Sequence, residues 1–361
     1  MKNIIPFSQH ARLGNDLHYV KKTLENSKTS GDGFFSKKVE QILNKKLHIS
    51  GKTLLTTSCT HALEIAAILI NLKPGDEVIV PSYTFVSSAL AFHMHGAKIV
   101  FADIKPNTLN IDETKIEKLI TKKTKAIVAV HYAGISCEMN EIMKIGNKYH
   151  LYIIEDNAHG IFGEYHNRKL GSIGHMSTFS FHKTKNISCG EGGALALNKP
   201  ELCDRAEIIR EKGTNRSAFF RREVKKYSWI DVGSSYLTSD ITAAYLYGQL
   251  VNLDIIQSIR IKIFNRYVTN LNNHNEFFKI PNNQPGKKYN GHMFYIILRT
   301  NKERSALIDY LSKNKVQAVS HYIPLHSSKF YQRKHDGRLC TNADLFSNCL
   351  LRLPLHPYLK M

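Results

Sequence analysis

Five short stretches of this chain are rich in β-forming residues, and several are apolar at consecutive positions: "TLLTT" (53–57), "EVIVP" (77–81), "AKIVFAD" (97–103), "KAIVAVHY" (125–132) and "LYIIED" (151–156). A strand with one wet face alternates apolar and polar residues, so an unbroken apolar run is what burial on both faces requires. Helical patterns such as "HALEIAAILINL" and "EMNEIMKIGNKYH" separate the runs. That alternation predicts an α/β fold, a mostly parallel central sheet sandwiched by helices.

After a glycine-rich stretch at 189–193 the pattern predicts a helix around 199–212, then the polar, basic loop "KGTNRSAFFRREVKKYSW". One long helix is predicted next, from the N-cap Ser239 to about residue 272. "HMFYIILRT", "ERSALIDYLSKNK" and "VQAVSHYI" read as strand, helix and strand. The expected division is a large α/β domain over 1–250 and a small C-terminal α+β domain over 251–361, with the boundary inside the long helix. A length of 361 residues suits that division, since domains typically run to about 100–200 residues.

The six cysteines, Cys59, Cys137, Cys189, Cys203, Cys340 and Cys349, show neither CxxC nor Cys/His ligand spacing. Neither a structural metal nor a disulfide framework is expected, and the thiols read as those of a reducing compartment. The opening "MKNIIPFSQHARLGND" lacks the apolar core of a signal peptide, and no stretch is apolar for long enough to span a membrane. The expectation is a soluble, cytoplasmic protein with no membrane insertion. Formal net charge is +20, which concentrates anions near the surface. The lysines are spread along the chain without a basic block or an aromatic-interleaved stripe, so a small phosphorylated ligand fits better than nucleic acid.

In open α/β sheets ligands bind beyond the carboxyl ends of the strands. "LYIIEDNAHG" ends a strand on Asp156, with His159 three residues later; Asp156 either caps a turn or faces a cationic partner. In "TTSCTHALEIAA" a strand leads into Ser58, Cys59 and Thr60 at a helix start, which is an ordinary N-cap or an anion site. Tyr83 and Phe85 in "PSYTF" are core aromatics or a plate for a planar ligand. "FSFHKTKN" offers Ser180 and two lysines, Lys183 and Lys185, which side-chain alternation in an extended segment would point the same way.

A phosphate cradle, an aromatic plate, a strand-end Asp, then Ser180 and a lysine five residues on resemble, in that order, the fold-type I pyridoxal-phosphate enzymes. "PGDEVIVPSYTFVSSA", "HYAG", "IIEDNAHG", "FSFHKTKN", "GEGG" and "EKGTNRS" more closely resemble the DegT/StrS family of nucleotide-sugar aminotransferases, over nearly the whole chain. The resemblance implies pyridoxal 5'-phosphate as cofactor, with Lys185 forming the imine and later shuttling the proton. Lys183 falls where the family varies and is expected to be a solvated surface residue. Asp156 is implied as the partner of the pyridinium N–H, Phe85 as the ring's stacking partner and His159 as an orienting neighbour. Ser180, Ser58, Cys59 and Thr60 would hold the phosphate.

The family further implies L-glutamate as amine donor, a nucleotide-sugar acceptor and a homodimer with active sites at its interface. Ser235 in "GSSYL" matches the segment through which a partner subunit reaches the cofactor phosphate. "TSCTHALEIAA", "NIDET", "REKGTNRS", "GSSYL" and "HYIPLH" carry a closer likeness to enzymes aminating C4 of dTDP-4-oxo-6-deoxyglucose. His321, Tyr322 and His326 are candidates for the sugar site, and Arg216, Arg221, Arg222, Lys225 and Lys226 for the diphosphate. Relatives usually continue past "LRLPLHPYL" into a last helix, which implies a trimmed small domain or a differently packed carboxyl end here. Relatives that dehydrate the sugar replace the lysine by histidine, which Lys185 argues against. C3 amination stays open at this stage. So does a basic nucleic-acid-binding or regulatory protein on the same fold.

Overall fold

The computed structural model describes residues 4–26, 28–281 and 284–360. A seven-stranded sheet forms its centre, in the order Lys52–Thr56, Gly193–Leu197, Met176–Ser180, Tyr152–Asp156, Thr124–Val130, Glu77–Pro81, Lys98–Ala102. Gly193–Leu197 is antiparallel to both neighbours and all the other strands run one way. The five strands read from the sequence are present to within two residues at each end.

Consecutive apolar residues divide between the two faces, which is why these strands lack polar alternation. Val78 and Val80 join one core cluster with Ala126, Val128 and Ile154, beneath the helix Cys59–Leu69. Ile79 joins another with Ile127, Ala129 and Ile153, beneath the helix Met139–Tyr149. Each such side chain is worth about 1.5–3 kcal/mol when fully buried, so a polar residue on either face would be costly.

The single helix expected from Ser239 to 272 is two helices, Asp240–Val251 and Leu253–Leu271. The break falls at Asn252 (φ −98°, ψ 11°), whose side-chain amide donates to the Gly248 carbonyl at 2.9 Å and so competes with the helical ladder. The predicted strand in 316–323 is also absent. Its backbone makes only isolated bridges, Ile5 with Val316 and Val319 with Arg352. The third strand of the smaller antiparallel sheet is Leu350–Leu353, paired on Phe294–Leu298, which also pairs with Phe278–Lys279. That sheet packs on the helices Leu253–Leu271 and Asn301–Lys313. No helix among the described residues is long and apolar enough to cross a membrane.

One buried carboxylate ties the helix Phe34–Leu47 to this frame. Asp240 accepts from the Phe35 and Ser36 backbone N–H groups and from the Ser36 hydroxyl, at 3.2, 2.7 and 2.7 Å. These are the otherwise orphaned donors at the start of the helix Phe34–Leu47. Any side chain at Gly33 would overlap that carboxylate, at 2.4 Å from Cγ. Asp240→Ala is expected to lower unfolding free energy by about 2–4 kcal/mol in urea titration, because several buried donors lose their acceptor together. A loss under about 0.5 kcal/mol would show that water replaces the carboxylate there.

Candidate active site

A cavity of about 790 Å³ opens at the carboxyl ends of the parallel strands, where the topology of an open α/β sheet puts ligands. Its walls come from both sheets. Ser58, Cys59, Thr60, Phe85, Asp156, His159, Ser180 and Lys185 line it from the strand ends and turns around the large sheet, His321 and Tyr322 from the irregular 316–323 segment, and Arg352 from the smaller sheet.

Asp156 ends its strand, buried and opposite Thr178 in register. Oδ2 accepts from the Ser88 hydroxyl at 2.6 Å and Oδ1 from the Ala158 N–H at 3.1 Å. Ser88 in turn meets Thr84 at 2.9 Å, so a short hydroxyl chain orients the carboxylate. The residue before it is locked as firmly. Glu155 bonds His131 Nε2 at 2.9 Å and accepts the N–H groups of Gly171, Ile173 and Gly174. Burial alone would raise the Glu155 pKa, but His131 and these N–H groups hold it below the usual carboxylate range.

The segment carrying the two lysines is a turn, not an extended strand, so the alternation expected from sequence does not apply. The Lys185 N–H bonds the His182 carbonyl at 2.9 Å, and the Lys183 N–H bonds Gly190 at 2.9 Å. Lys183 is thereby exposed and Lys185 faces the cavity. The neighbouring Asn186 pins the turn from below, donating to the Asn290 carbonyl at 2.8 Å and meeting His292 Nδ1 at 2.9 Å. The Lys185 pKa falls to about 8, chiefly through burial, with Arg352 adding to the fall and Cys59 and Asp156 opposing it.

At the Cys59–Leu69 helix start, Ser58 Oγ accepts the His61 N–H at 3.1 Å and Thr60 meets Ser87 at 2.8 Å. Gly193 makes this turn possible, since a Cβ there would lie 2.3 Å from the Ser58 carbonyl carbon. Burial pushes the Cys59 thiol well above its ordinary pKa, and the Asp156 charge pushes it further. Cys59 is therefore a neutral wall of the site.

His159, His292 and His321 all have pKa values well below the ordinary range, through burial first and nearby cations second. They present neutral imidazoles. His159 stacks on His292 at 4.5 Å, and His321 stacks on Tyr322 at 3.5 Å. Tyr83 and Tyr132 hold His321 by its carbonyl and its Nδ1, each at 2.7 Å. Phe85 lines the cavity with 56% of its surface exposed, the disposition of a plate open to a planar ligand.

Of the residues singled out from sequence, Tyr83, Lys183, Ser235, His326 and the basic set Arg216, Arg221, Arg222, Lys225 and Lys226 do not line this cavity. His326 packs away from it, against Ser82 at 2.6 Å and near Asp344 and His335. Ser235 is exposed on a loop bridged to Glu211. Arg216 lies over the Phe220 ring at 4.8 Å, lining a second cavity with Arg221. Ser87, Ser88, His292, Arg260 and Arg352 went unassigned in the sequence. The hydroxyl pair in "FVSSALAF", on an otherwise apolar helix, was the one local signal. His292 and Arg352 come from over 100 residues away and carry none.

A match to the DegT/DnrJ/EryC1/StrS aminotransferase family covers residues 13–361. The chain belongs to that family. It is 30% identical to GDP-perosamine synthase of Escherichia coli O157:H7 over 332 residues, 92% of this chain and 88% of that one. Its fold superimposes on PseC of Helicobacter pylori, an aminotransferase involved in the biosynthesis of pseudoaminic acid. The TM-score is 0.92 at 27% identity, covering 99% of this chain and 95% of that one. The PLP form of Spr1654 from Streptococcus pneumoniae, a proposed sugar aminotransferase, matches with a TM-score of 0.90 at 26% identity, over 99% and 95% of the two chains. The family member described here is thus a pyridoxal-phosphate-dependent aminotransferase of fold type I.

The cavity fits that cofactor. It sets a half-buried amine, a strand-end carboxylate and a helix start rich in N–H donors around one volume, and Gly193 keeps the last of these open. A pKa near 8 makes about one Lys185 amine in ten neutral at pH 7, against fewer than about one in a thousand for an ordinary lysine. Because the neutral form predominates only above the pKa, cofactor uptake by the cofactor-free protein should rise with pH through a midpoint near 8. Stopped-flow absorbance checks this, and a midpoint above 10 would contradict the burial argument.

Proposed function

We propose that this chain is a sugar aminotransferase that moves the amino group of L-glutamate to the 4-keto carbon of a dTDP-4-oxo-6-deoxyhexose, giving dTDP-4-amino-4,6-dideoxygalactose. The observation that carries the reading is that Lys185 and Asp156 line one cavity together, beside a helix start suited to a phosphate. Relatives named for GDP-perosamine and for the biosynthesis of pseudoaminic acid support a sugar as acceptor. The C4 position and the dTDP carrier rest on the motif likeness in "NIDET", "GSSYL" and "HYIPLH".

Bound pyridoxal phosphate supplies the electron sink that makes the donor's Cα–H acidic. Lys185 Nζ would serve as the base that takes up the donor's Cα proton and gives it back, and for that it must be neutral, as its lowered pKa favours. Asp156 would accept the ring N–H and so favour the protonated ring; Ser88 and Ala158 fix the carboxylate's direction. Ser58, Cys59, Thr60 and Ser180 would hold the phosphate, Phe85 would stack on the ring and His159 would help orient it. His321 and Tyr322 border the sugar, with His321 as a neutral hydrogen-bonding group.

Arg216 is assigned to the acceptor's diphosphate and Ser235 to the cofactor phosphate in the neighbouring active site of a homodimer, consistent with the exposure of Ser235 on a loop away from its own cavity. The part from 251 onward is read as the smaller domain closing over the site, and the cytoplasm as the compartment.

Incubation with pyridoxal phosphate, L-glutamate and dTDP-4-oxo-6-deoxyglucose should yield an amino sugar by mass spectrometry, with nitrogen at C4 by NMR. Lys185→Ala abolishes the product and the yellow colour of the bound cofactor, and Lys183→Ala keeps both. Asp156→Asn slows turnover by at least about 100-fold, the scale of losing a preorganised electrostatic partner. Nitrogen at C3, or no amino sugar at all, would refute the assignment.

A further inference from the structure

One ring joins two arms of the active-site cavity. His292 stands just before the strand Phe294–Leu298 of the smaller sheet, buried in the cavity wall. Its backbone is held on both sides: the N–H donates to Asn290 Oδ1 at 3.0 Å, and the carbonyl accepts from Arg260 Nη2 at 2.6 Å. From that fixed base its Nδ1 meets Oδ1 of Asn186, the neighbour of Lys185, at 2.9 Å. Its face lies 4.5 Å from the His159 ring and 22° from parallel to it.

The hydrogen bonds fix where the His292 proton sits. Asn186 Nδ2 donates to the Asn290 carbonyl at 2.8 Å and to Gln257 Oε1 at 3.2 Å. A backbone carbonyl only accepts, so the Asn186 amide cannot be turned over, and the atom it offers His292 is Oδ1, a second acceptor. His292 Nδ1 therefore carries the hydrogen. His159 is fixed the opposite way. Its Nδ1 accepts the Ala133 N–H at 3.4 Å, which leaves its hydrogen on Nε2, toward the Tyr322 hydroxyl at 3.5 Å. Burial first and nearby cations second keep both rings neutral, so each has a single N–H to give.

That single N–H has a consequence for the lysine. Asn186 is buried, and His292 is the donor its Oδ1 receives. Without it the oxygen would be a buried acceptor with no partner, which is costly. The turn escapes that cost only by carrying Asn186 toward water, and Lys185 is bonded to Asn186. If His292 acted by packing alone, any flat ring against His159 would serve as well. The N–H is what distinguishes the two roles.

We propose that His292 is the positioning residue of the lysine turn: its Nδ1–H fixes the Asn186 amide, and through it the direction of the Lys185 amine, while its ring face steadies His159 beside the same volume. The inference rests on the reading of Lys185 as the cofactor lysine and goes beyond it by naming what holds that amine in place. It stands apart from the identity of the donor and of the sugar.

Two substitutions separate the hydrogen bond from the ring. His292→Phe keeps a flat ring on His159 and loses the donor, whereas His292→Asn keeps an N–H donor near the Nδ1 position and loses the ring. The readout is the pH midpoint of pyridoxal phosphate uptake by the cofactor-free protein, followed by absorbance, with thermal unfolding recorded alongside. Cys59, Asp156 and Arg352, the groups whose charge acts on Lys185, are untouched in both variants. An amine released toward water regains part of the ordinary lysine value, so His292→Phe should raise the midpoint by about one pH unit. His292→Asn should leave it within about 0.2 unit even where its Tm falls, because desolvation of the amine is preserved. Should the phenylalanine variant not fold, Asn186→Ala removes the acceptor from the other side and should show the same upward shift. A midpoint that stays in place in His292→Phe or Asn186→Ala, or that moves equally in His292→Asn, would overturn the proposal. Failure of the lysine reading is seen separately, as yellow colour that survives Lys185→Ala.

Discussion

A lysine amine cannot be both buried and charged without compensation, and this site rests on that constraint. Desolvation moves Lys185 toward neutrality at physiological pH, and the adjoining Arg352 pushes the same way against Asp156. The arrangement needs a carboxylate close enough to serve the cofactor ring yet engaged by other donors. Ser88 and Ala158 supply them. The surrounding imidazoles are kept neutral by the same burial, so they add hydrogen-bonding surface without adding charge.

Holding these groups in place falls to residues that touch no ligand. Glu155 and His131 brace the strand end from below, and Asn290 gathers three separate segments. Its side-chain amide donates to the carbonyls of His159 and Ile161 at 2.6 and 3.0 Å, its Oδ1 accepts from the His292 N–H, and its own carbonyl receives Asn186. The amino-terminal segment closes the ring: the Ile5 N–H bonds Lys315, and the Leu355 N–H bonds Phe7. A site assembled from segments this far apart becomes rigid only when the whole chain is folded, and a buried polar network of this kind works only when its members are satisfied together.

How much of this was legible beforehand follows from how local each signal is. The central strands announced themselves because two-sided burial leaves unbroken apolar runs, and Asp156, Lys185 and the Ser58–Thr60 helix start sit in contiguous motifs. The break at Asn252 was hidden because an apolar periodicity continues across it, while one amide reaching back to Gly248 interrupts the ladder. The 316–323 segment has strand composition but meets its neighbours only through single bridges, Val316 with Ile5 and Val319 with Arg352. Alternation alone could not separate Lys183 from Lys185; the motif likeness chose Lys185, and the turn at 182–185, fixed by Asn186 and Asn290, is the physical reason the two point apart. Arg352 and His292 were invisible for a different reason: they reach the cavity from the smaller sheet and from the segment leading into it, and nothing in their own neighbourhood marks them.

The account stands on which nitrogen meets the cofactor. Reduction of the yellow holoprotein with borohydride, followed by proteolysis and mass spectrometry, fixes the cofactor to its lysine and reads the position directly. The account predicts the added mass on Lys185 alone. The same mass on Lys183, or on a lysine outside the cavity, would contradict it.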